Sequence, residues 1–277
     1  MIRSDWHIHS EYSHDSNLAI ETIVTEGQKQ GLRFMGVTDH VNFNDERYLG
    51  NLRRSAEGVK AAQKEHPFLV LGVELTSIEK PEFDHISKTG TREGYVPPVQ
   101  SHPYDIELAV SKEELEALGV RYVIGASHWR VDLPYAKTLT PVIDEHIREW
   151  YRQQMYLACD GRVTILGHPW WHAKGLWYED FAIIPRSMNE DIAAALKENG
   201  KYAECNSCFF CSDSTSEKFK HQYAEFLREM FEAGIPIVYG SDAHNTYTDV
   251  RSQVEKYLSD VGFACGDISE LPADIIG

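Results

Sequence analysis

Apolar residues in this chain gather into short runs that return at regular intervals. Seven of them, at 2–8, 33–38, 68–75, 122–126, 163–166, 202–206 and 237–239, are mostly apolar and often β-branched. Strands buried on both faces have this pattern, because neither face needs polar residues. Between the runs the period changes to that of an amphipathic helix. Phe219, Tyr223, Phe226, Leu227, Met230 and Phe231 recur at helical spacing within 216–233, and Gly234 supplies the stop. Helices are also predicted over 18–30, 52–64 and 250–259. Ser111 with Glu114, and Ser187 with Glu190, each read as a capping box that opens a helix. Thr140 before Pro141 places a capping hydroxyl ahead of a proline at the first helical position.

Alternating strands and helices predict parallel strands joined by right-handed crossovers. Seven units exceed what most open sheets use and fall one short of the eightfold barrel. No linker or low-complexity segment interrupts them, so residues 1–277 are expected to form one α/β domain. The exception to the regular spacing is 78–107, which is polar, holds Pro81, Pro97, Pro98 and Pro103, and has no clear period. An excursion at the carboxyl end of the third strand is expected to project over that face as an arm or lid.

Composition removes several classes of function. A chain of 277 residues, 42% hydrophobic, can bury a substantial core. Cys205, Cys208 and Cys211 are evenly spaced, but no second cysteine pair completes a thiolate site. The start shows no signal-peptide core, and no apolar run approaches the roughly 18 residues that span a bilayer. A cytoplasmic protein without membrane contact is expected. A net charge of −16 argues against a nucleic-acid partner, whose phosphates need a basic surface. A small-molecule substrate remains, and a homo-oligomer is compatible with these features.

The candidate chemistry sits at the ends of the predicted strands. His7 and His9 close the first, with Asp15 soon after, and Asp39-His40 follow the second. Glu74 lies in the third, His128 and His168 follow the fourth and fifth, and Asp242 with His244 follow the last. Parallel barrels carry their chemistry at the carboxyl ends of their strands. Residues i and i+2 of an extended strand point the same way, so His7 with His9, and Asp242 with His244, can each grip one ion. A lone histidine reads as a satisfied core or surface residue. Acids or histidines at six of the seven strand ends read as ligands for divalent metal ions. Nine candidates exceed the roughly four ligands of one zinc and suit two or three ions. Close-spaced ions favour in-line displacement at phosphorus.

Taken in order, His7-Ile8-His9 with Asp15, Thr38-Asp39-His40, Glu74, Ser127-His128, Gly167-His168-Pro169 and Gly240-Ser241-Asp242-Ala243-His244 resemble the PHP family, named for polymerase and histidinol phosphatase. The similarity is greatest to its histidinol-phosphatase-like members and runs from Met1 to about Asn245. It implies a distorted seven-stranded TIM-like barrel with a trinuclear site of zinc, manganese or iron. The implied ligands are His7, His9, Asp15, His40, Glu74, His128, His168, Asp242 and His244, with Glu74 bridging ions. His14 is an alternative to Asp15, which is preferred. Asp39 and Glu204 would stand behind the ligands, Asp39 orienting a histidine. A metal-bridging hydroxide would attack the phosphorus of a small organic phosphate, and Asp242 or His244 would manage the proton.

One stretch departs from those relatives. They carry a Glu-x-Asn-Thr-Ser-Gly-x-Arg-like sequence after strand six, whose arginine grips phosphate. Here Glu204 and Asn206 match, but Cys211 stands at the arginine position and cannot bind phosphate bidentately. Arg130 and Lys174 are candidates for the missing cation. Trp129 and Trp170, with Trp171 and Trp177 nearby, are candidates for a stacking surface, and Asn206 for a substrate contact. Because a fold does not fix a reaction, an amidohydrolase-like cleavage of a C–N or C–O bond is the alternative. A non-catalytic domain is disfavoured by the full ligand set.

Overall fold

The strands form where the apolar runs predict them: β1 Asp5–Ile8, β2 Met35–Val37, β3 Leu69–Thr76, β4 Tyr122–Ala126, β5 Ile165–Leu166, β6 Tyr202–Asn206 and β7 Ile237–Gly240. The computed structural model describes residues 2–98, 104–129 and 143–276. In it the seven strands pair in parallel in chain order. The sheet then curls back on itself. His9 N donates to Ala243 O (2.9 Å) and Asp242 N to His7 O (2.8 Å), so the chain leaving β7 bonds to the end of β1. The result is a nearly closed, distorted (β/α)7 TIM-like barrel. His40–Val41 extends β2 and pairs with Glu74 and Leu75.

Alternation along β3 sorts its residues between two environments. Leu69 and Leu71 pack outward with Ile23, Val24 and Val59 of the helices, while Val70 joins Trp6, Tyr122, Ile124, Ile165 and Val238 in a separate cluster inside the barrel. Tyr122 donates its hydroxyl to Trp6 O (2.6 Å) within this plug. A side chain at Gly36 would put its Cβ 1.7 Å from that hydroxyl, so only glycine leaves room for it. The amino-terminal half of the interior is therefore filled, and polar residues fit inside only at the carboxyl end.

Among the described residues, helices α1 Ile20–Lys29, α2 Glu46–Gln63, α3 Lys112–Leu118, α4 Ile143–Cys159, α5 Arg186–Glu198, α6 Glu217–Glu232 and α7 Arg251–Asp260 cover the outside. The capping box at Ser111 and Glu114 is present, and Ser216 caps α6 by accepting from Phe219 N. Gly234 ends that segment at φ +95°. Two predicted starts need correction. Helix α2 begins six residues before the predicted 52, because Asp45 accepts from Tyr48 N and caps it there. Ser187 caps nothing: Pro185 is the boundary residue of α5, which leaves Ser187 inside the first turn. Thr140-Pro141 lies outside the described residues. Among the described residues, no helix is long and apolar enough to cross a membrane.

The segment 78–107 has more order than its sequence suggests. Ile78–Glu79 pairs antiparallel with Ile106–Glu107, and Lys80–Thr89 forms a helix between them. Pro81 falls in the first turn of that helix, where a missing N–H costs nothing. Arg162 binds Glu107 Oε1 (2.8 Å) and so fastens the return strand to the barrel. From the interior plug, we expect Tyr122→Phe to strip the buried Trp6 carbonyl of its partner. Urea unfolding should show a loss of about 1–3 kcal/mol, with bound metal unchanged.

Candidate metal centre

Glu74 occupies an inward position near the end of β3, fully buried. Its Oε2 lies 2.6 Å from His40 Nδ1, 3.4 Å from His7 Nε2 and 3.5 Å from His9 Nε2. Its Oε1 lies 2.9 Å from His168 Nε2 and 3.3 Å from His128 Nε2. Two further carboxylates flank this group. Asp242 Oδ1 is 3.2 Å from His9 Nε2 and 3.5 Å from His7 Nε2, and Asp15 Oδ2 is 3.4 Å from His40 Nε2 and 3.5 Å from His244 Nε2. All nine predicted ligands thus meet in one cluster. His14 stands beside it, with Nδ1 3.5 Å from Asp15 Oδ1, and Asp15 is the residue that faces two of the clustered histidines.

The donor set fits divalent cations. Three histidines have their Nδ1 tied back, which turns a lone pair at Nε2 toward the cluster. His7 Nδ1 donates to Glu204 Oε1 (2.7 Å), His128 Nδ1 to Thr76 Oγ1 (2.8 Å) and His244 Nδ1 to the Asp242 carbonyl (2.8 Å). His7 Nε2 and His9 Nε2 consequently face each other at 3.0 Å. The Nδ1 atoms of His9 and His168 are buried with no hydrogen-bond partner, and Glu74 Oε2 and His40 Nδ1 face each other at 2.6 Å without hydrogen-bond geometry. A buried polar atom left unsatisfied costs about 1–3 kcal/mol, and a cation shared by Glu74 Oε2 and His40 Nδ1 would satisfy both. Three sets hold donor atoms within 4.8 Å of one another: His9, His40 and His244; His7, His9 and Asp242; His40, Glu74 and His128. They share His9 and His40, so they mark overlapping positions. Imidazole with carboxylate suits zinc, manganese and iron.

The charges hold one another in place. Burial pushes Glu74 up, but His40, His7 and His128 outweigh it and keep its carboxyl well below the usual range. Asp242 is held down in the same way against burial, by His7 and His9. Burial acts to lower His7, yet Glu204, Asp242 and Glu74 together raise it well above an ordinary histidine. His9 goes the other way, lowered to about 3 by burial and then by His40, against the opposing bond to Asp242. His244 rises to about 9, because Asp15 and Asp242 overcome its burial. Protons and carboxylates here occupy positions that cations would take, and metal binding displaces such protons.

Support comes from β6, β7 and their loops. Glu204 reaches His7 with one oxygen and accepts from the backbone N of His168 with the other. Gly240 makes that reach possible: a Cβ there would lie 2.0 Å from Glu204 Oε1 and 2.7 Å from His7 Cβ. Thr76, which accepts from His128 and donates to Asn42 Oδ1 (2.6 Å), escaped the sequence reading. Its signal was its place two residues after Glu74 on the same strand face. His168, Trp170 and Asp242 adopt φ of 23°, 65° and 57°, backbone that costs about 1–3 kcal/mol per residue and gathers at functional sites.

Several predicted roles change. The Asp39 carboxylate hydrogen-bonds no imidazole; it accepts from Ser10 N (2.5 Å), Ser10 Oγ (2.7 Å) and Ser55 Oγ (2.6 Å), pinning the loop after β1 to α2. Asn206 is 1% exposed and gives its amide to Asp242 Oδ2 (3.1 Å) and Glu204 Oε1 (3.2 Å), so it orients the cluster and does not face a substrate. Trp170 is also 1% exposed and bonds Asn189 Oδ1 through Nε1 (2.9 Å), which places it in the core. Its neighbour Trp171 borders the cluster instead, with ring centroids 5.4 Å from His128 and 5.7 Å from His168. Trp129 also borders it, 5.9 Å from His128. Lys174 is exposed, and Arg130 lies outside the described residues. We expect Gly240→Ala to drive Glu204 off His7 and weaken metal retention about 10- to 100-fold, read by metal counting after graded chelation.

Comparison with known proteins agrees with this geometry. The model of the PHP domain family matches residues 5–208. A protein of Acetivibrio thermocellus named "Probable phosphatase" is 38% identical over 77 residues, which are 27% of this chain and 31% of that protein. The match thus spans about a third of the length of that curated relative. A crystal structure of histidinol phosphate phosphatase from Lactococcus lactis, complexed with zinc, L-histidinol and phosphate, is similar over 94% of both chains, with a TM-score of 0.69 and 20% identity. That likeness carries the barrel. The family match takes in β1 through β6, with seven of the nine clustered residues, and covers well over half the chain. This protein belongs to the PHP domain family.

Proposed function

We propose that the chain is a metal-dependent phosphoesterase acting on a small organic phosphate. The observation that carries this reading is Glu74, one carboxylate faced by five imidazoles with Asp15 and Asp242 on either flank. That arrangement suits two or three divalent ions held by His7, His9, Asp15, His40, Glu74, His128, His168, Asp242 and His244. Ions held there would activate water for attack at phosphorus and neutralise charge on the phosphoryl oxygens. Family membership supports the reading, as does the Lactococcus lactis structure with its zinc, histidinol and phosphate.

The chain's own groups then have separable tasks. Glu74 lies between the two halves of the cluster and can be shared by ions in both. Glu204 fixes the tautomer and direction of His7, and Asn206 fixes one oxygen of Asp242. Among the candidate ligands that are histidines, His244 has the most exposed side chain (27%). Where it is not committed to an ion, His244, whose Nδ1 is bonded to the Asp242 carbonyl, is the group we assign to passing a proton to the departing oxygen. Trp129 and Trp171 would pack against the organic part of the substrate. A second reading, hydrolysis of a C–N or C–O bond, draws on Cys211 in place of a phosphate-gripping arginine and on the exposure of Lys174.

The test is phosphate release from a panel of phosphomonoesters by protein loaded separately with Mn²⁺, Zn²⁺ or Fe²⁺, with bound metal counted in the same samples. Release should track metal content. His9→Ala should lower both, the rate by more than the roughly 100-fold that altering a supporting partner costs. Turnover like the unaltered protein in that variant would sink the metal reading. Metal-loaded protein that cleaves amides or non-phosphate esters and no phosphoester would establish the second reading instead.

A further inference from the structure

A chain of aromatic contacts borders the cluster on one side. It runs from His40 to His14 (ring centroids 5.4 Å), His14 to Tyr48 (5.2 Å), Tyr48 to Phe43 (5.8 Å), Phe43 to Trp129 (5.2 Å) and Trp129 back to His128 (5.9 Å). Two guanidinium groups lie on this rim. Arg92 sits 4.9 Å over the Phe43 ring, but its Nε is bonded to the buried Glu82. Arg47 sits 5.4 Å over the Tyr48 ring and is exposed.

Arg47 has no ion-pair partner among the described residues, although acids flank it in sequence. Asp45 caps α2 through Tyr48 N (3.1 Å), and Glu46 pairs with Arg53. Position 47 is in the first turn of α2, after the short loop that follows His40–Val41. A guanidinium lying on an aromatic face is pre-organised, with its N–H edges left free for an oxyanion. An exposed cation with no ion-pair partner among the described residues, two ring contacts from His40 in a chain of net charge −16, runs against the prevailing sign.

We propose that Arg47 binds the phosphoryl oxygens of the substrate and supplies the cation that position Cys211 lacks. The inference rests on the phosphoesterase reading above. At two rings out from His40, the guanidinium meets an anion that extends outward from the metals and stays clear of the ligands themselves. Its bond to phosphate is charge-assisted and can be bidentate, which sets the size of the expected effect.

The test compares full-length metal-loaded protein with its Arg47→Ala and Arg47→Lys variants. The readouts are KM and kcat on the best phosphomonoester of the panel, the inhibition constant of inorganic phosphate, and metal content. Arg47→Ala should raise KM and the phosphate inhibition constant together, roughly 10- to 100-fold, with kcat within a few-fold and metal content unchanged. Arg47→Lys should recover part of the loss, since a point charge replaces a planar fork. Unchanged KM and phosphate inhibition in Arg47→Ala would overturn the inference while leaving the phosphoesterase reading intact. Loss of metal, or a fall in kcat alone, would also overturn it by assigning Arg47 to the cluster. Unaltered metal-loaded protein that neither hydrolyses a phosphomonoester nor is bound by phosphate would instead overturn the phosphoesterase reading.

Discussion

A single carboxylate fully removed from water organises this molecule. An uncompensated charge in that position costs several kcal/mol, and Glu74 is compensated from five directions by His7, His9, His40, His128 and His168. No single strand could supply that many partners. They converge because parallel strands in a barrel bring their carboxyl ends to one rim. The plug of Trp6, Tyr122 and their neighbours has the complementary effect, since it keeps the opposite half of the interior apolar. Polar chemistry is confined to one end because the other end is already packed.

The same residues that gather the cluster also close the barrel. His7 O accepts from Asp242 N, and His9 N donates to Ala243 O, so the β1–β7 seam is made of backbone from candidate ligands and their neighbour. Asp5 reinforces it by accepting from Ser241 N (2.9 Å) and Tyr247 Oη (2.6 Å). Asp242 holds its place in a left-handed backbone conformation that an aspartate tolerates but does not prefer. Strain at this position persists because the seam and Asn206 fix both the backbone and the side chain. Fold closure and site geometry are therefore one structure viewed at two levels.

Much of this was readable in the sequence, for a physical reason. Strands buried on both faces must be apolar nearly throughout, so His7, Glu74 or Glu204 inside such a run stands out as an exception that needs an explanation. A helix start with a hydroxyl cap was legible at Ser111, where side-chain chemistry sets the boundary, and helical spacing marked the segment that Ser216 caps. At Asp45 a carboxylate cap sets the boundary six residues before the periodicity that begins at Leu52, and at Pro185 the boundary has no side-chain cap to betray it. Direction was the harder quantity. Trp170 and Trp171 are adjacent, yet one is core and the other borders the cluster, because φ at Trp170 is positive and turns the chain between them. Asn206 and Asp39 were legible as polar residues near ligands, but which partner each would choose depended on strands and loops far away in sequence.

Charge sets the order of events on the proposed reading. Glu74, Asp15, Asp242 and Glu204 bring four carboxylates within one small volume, and histidines can offset them only by holding protons. A phosphate ester approaching that volume would be repelled by the carboxylates and would find imidazoles already engaged with them. Divalent ions change the sign of the site, since a bound cation is the largest local charge and inverts the surrounding electrostatics. Metal loading must therefore precede productive substrate binding. Until then Arg47, held on the Tyr48 ring outside the cluster, is a positive charge on the rim with no ion-pair partner among the described residues. That division of labour follows from geometry: a cation buried among the ligands would compete with the metals, whereas one stacked on Tyr48 is far enough out to meet an anion without displacing an ion.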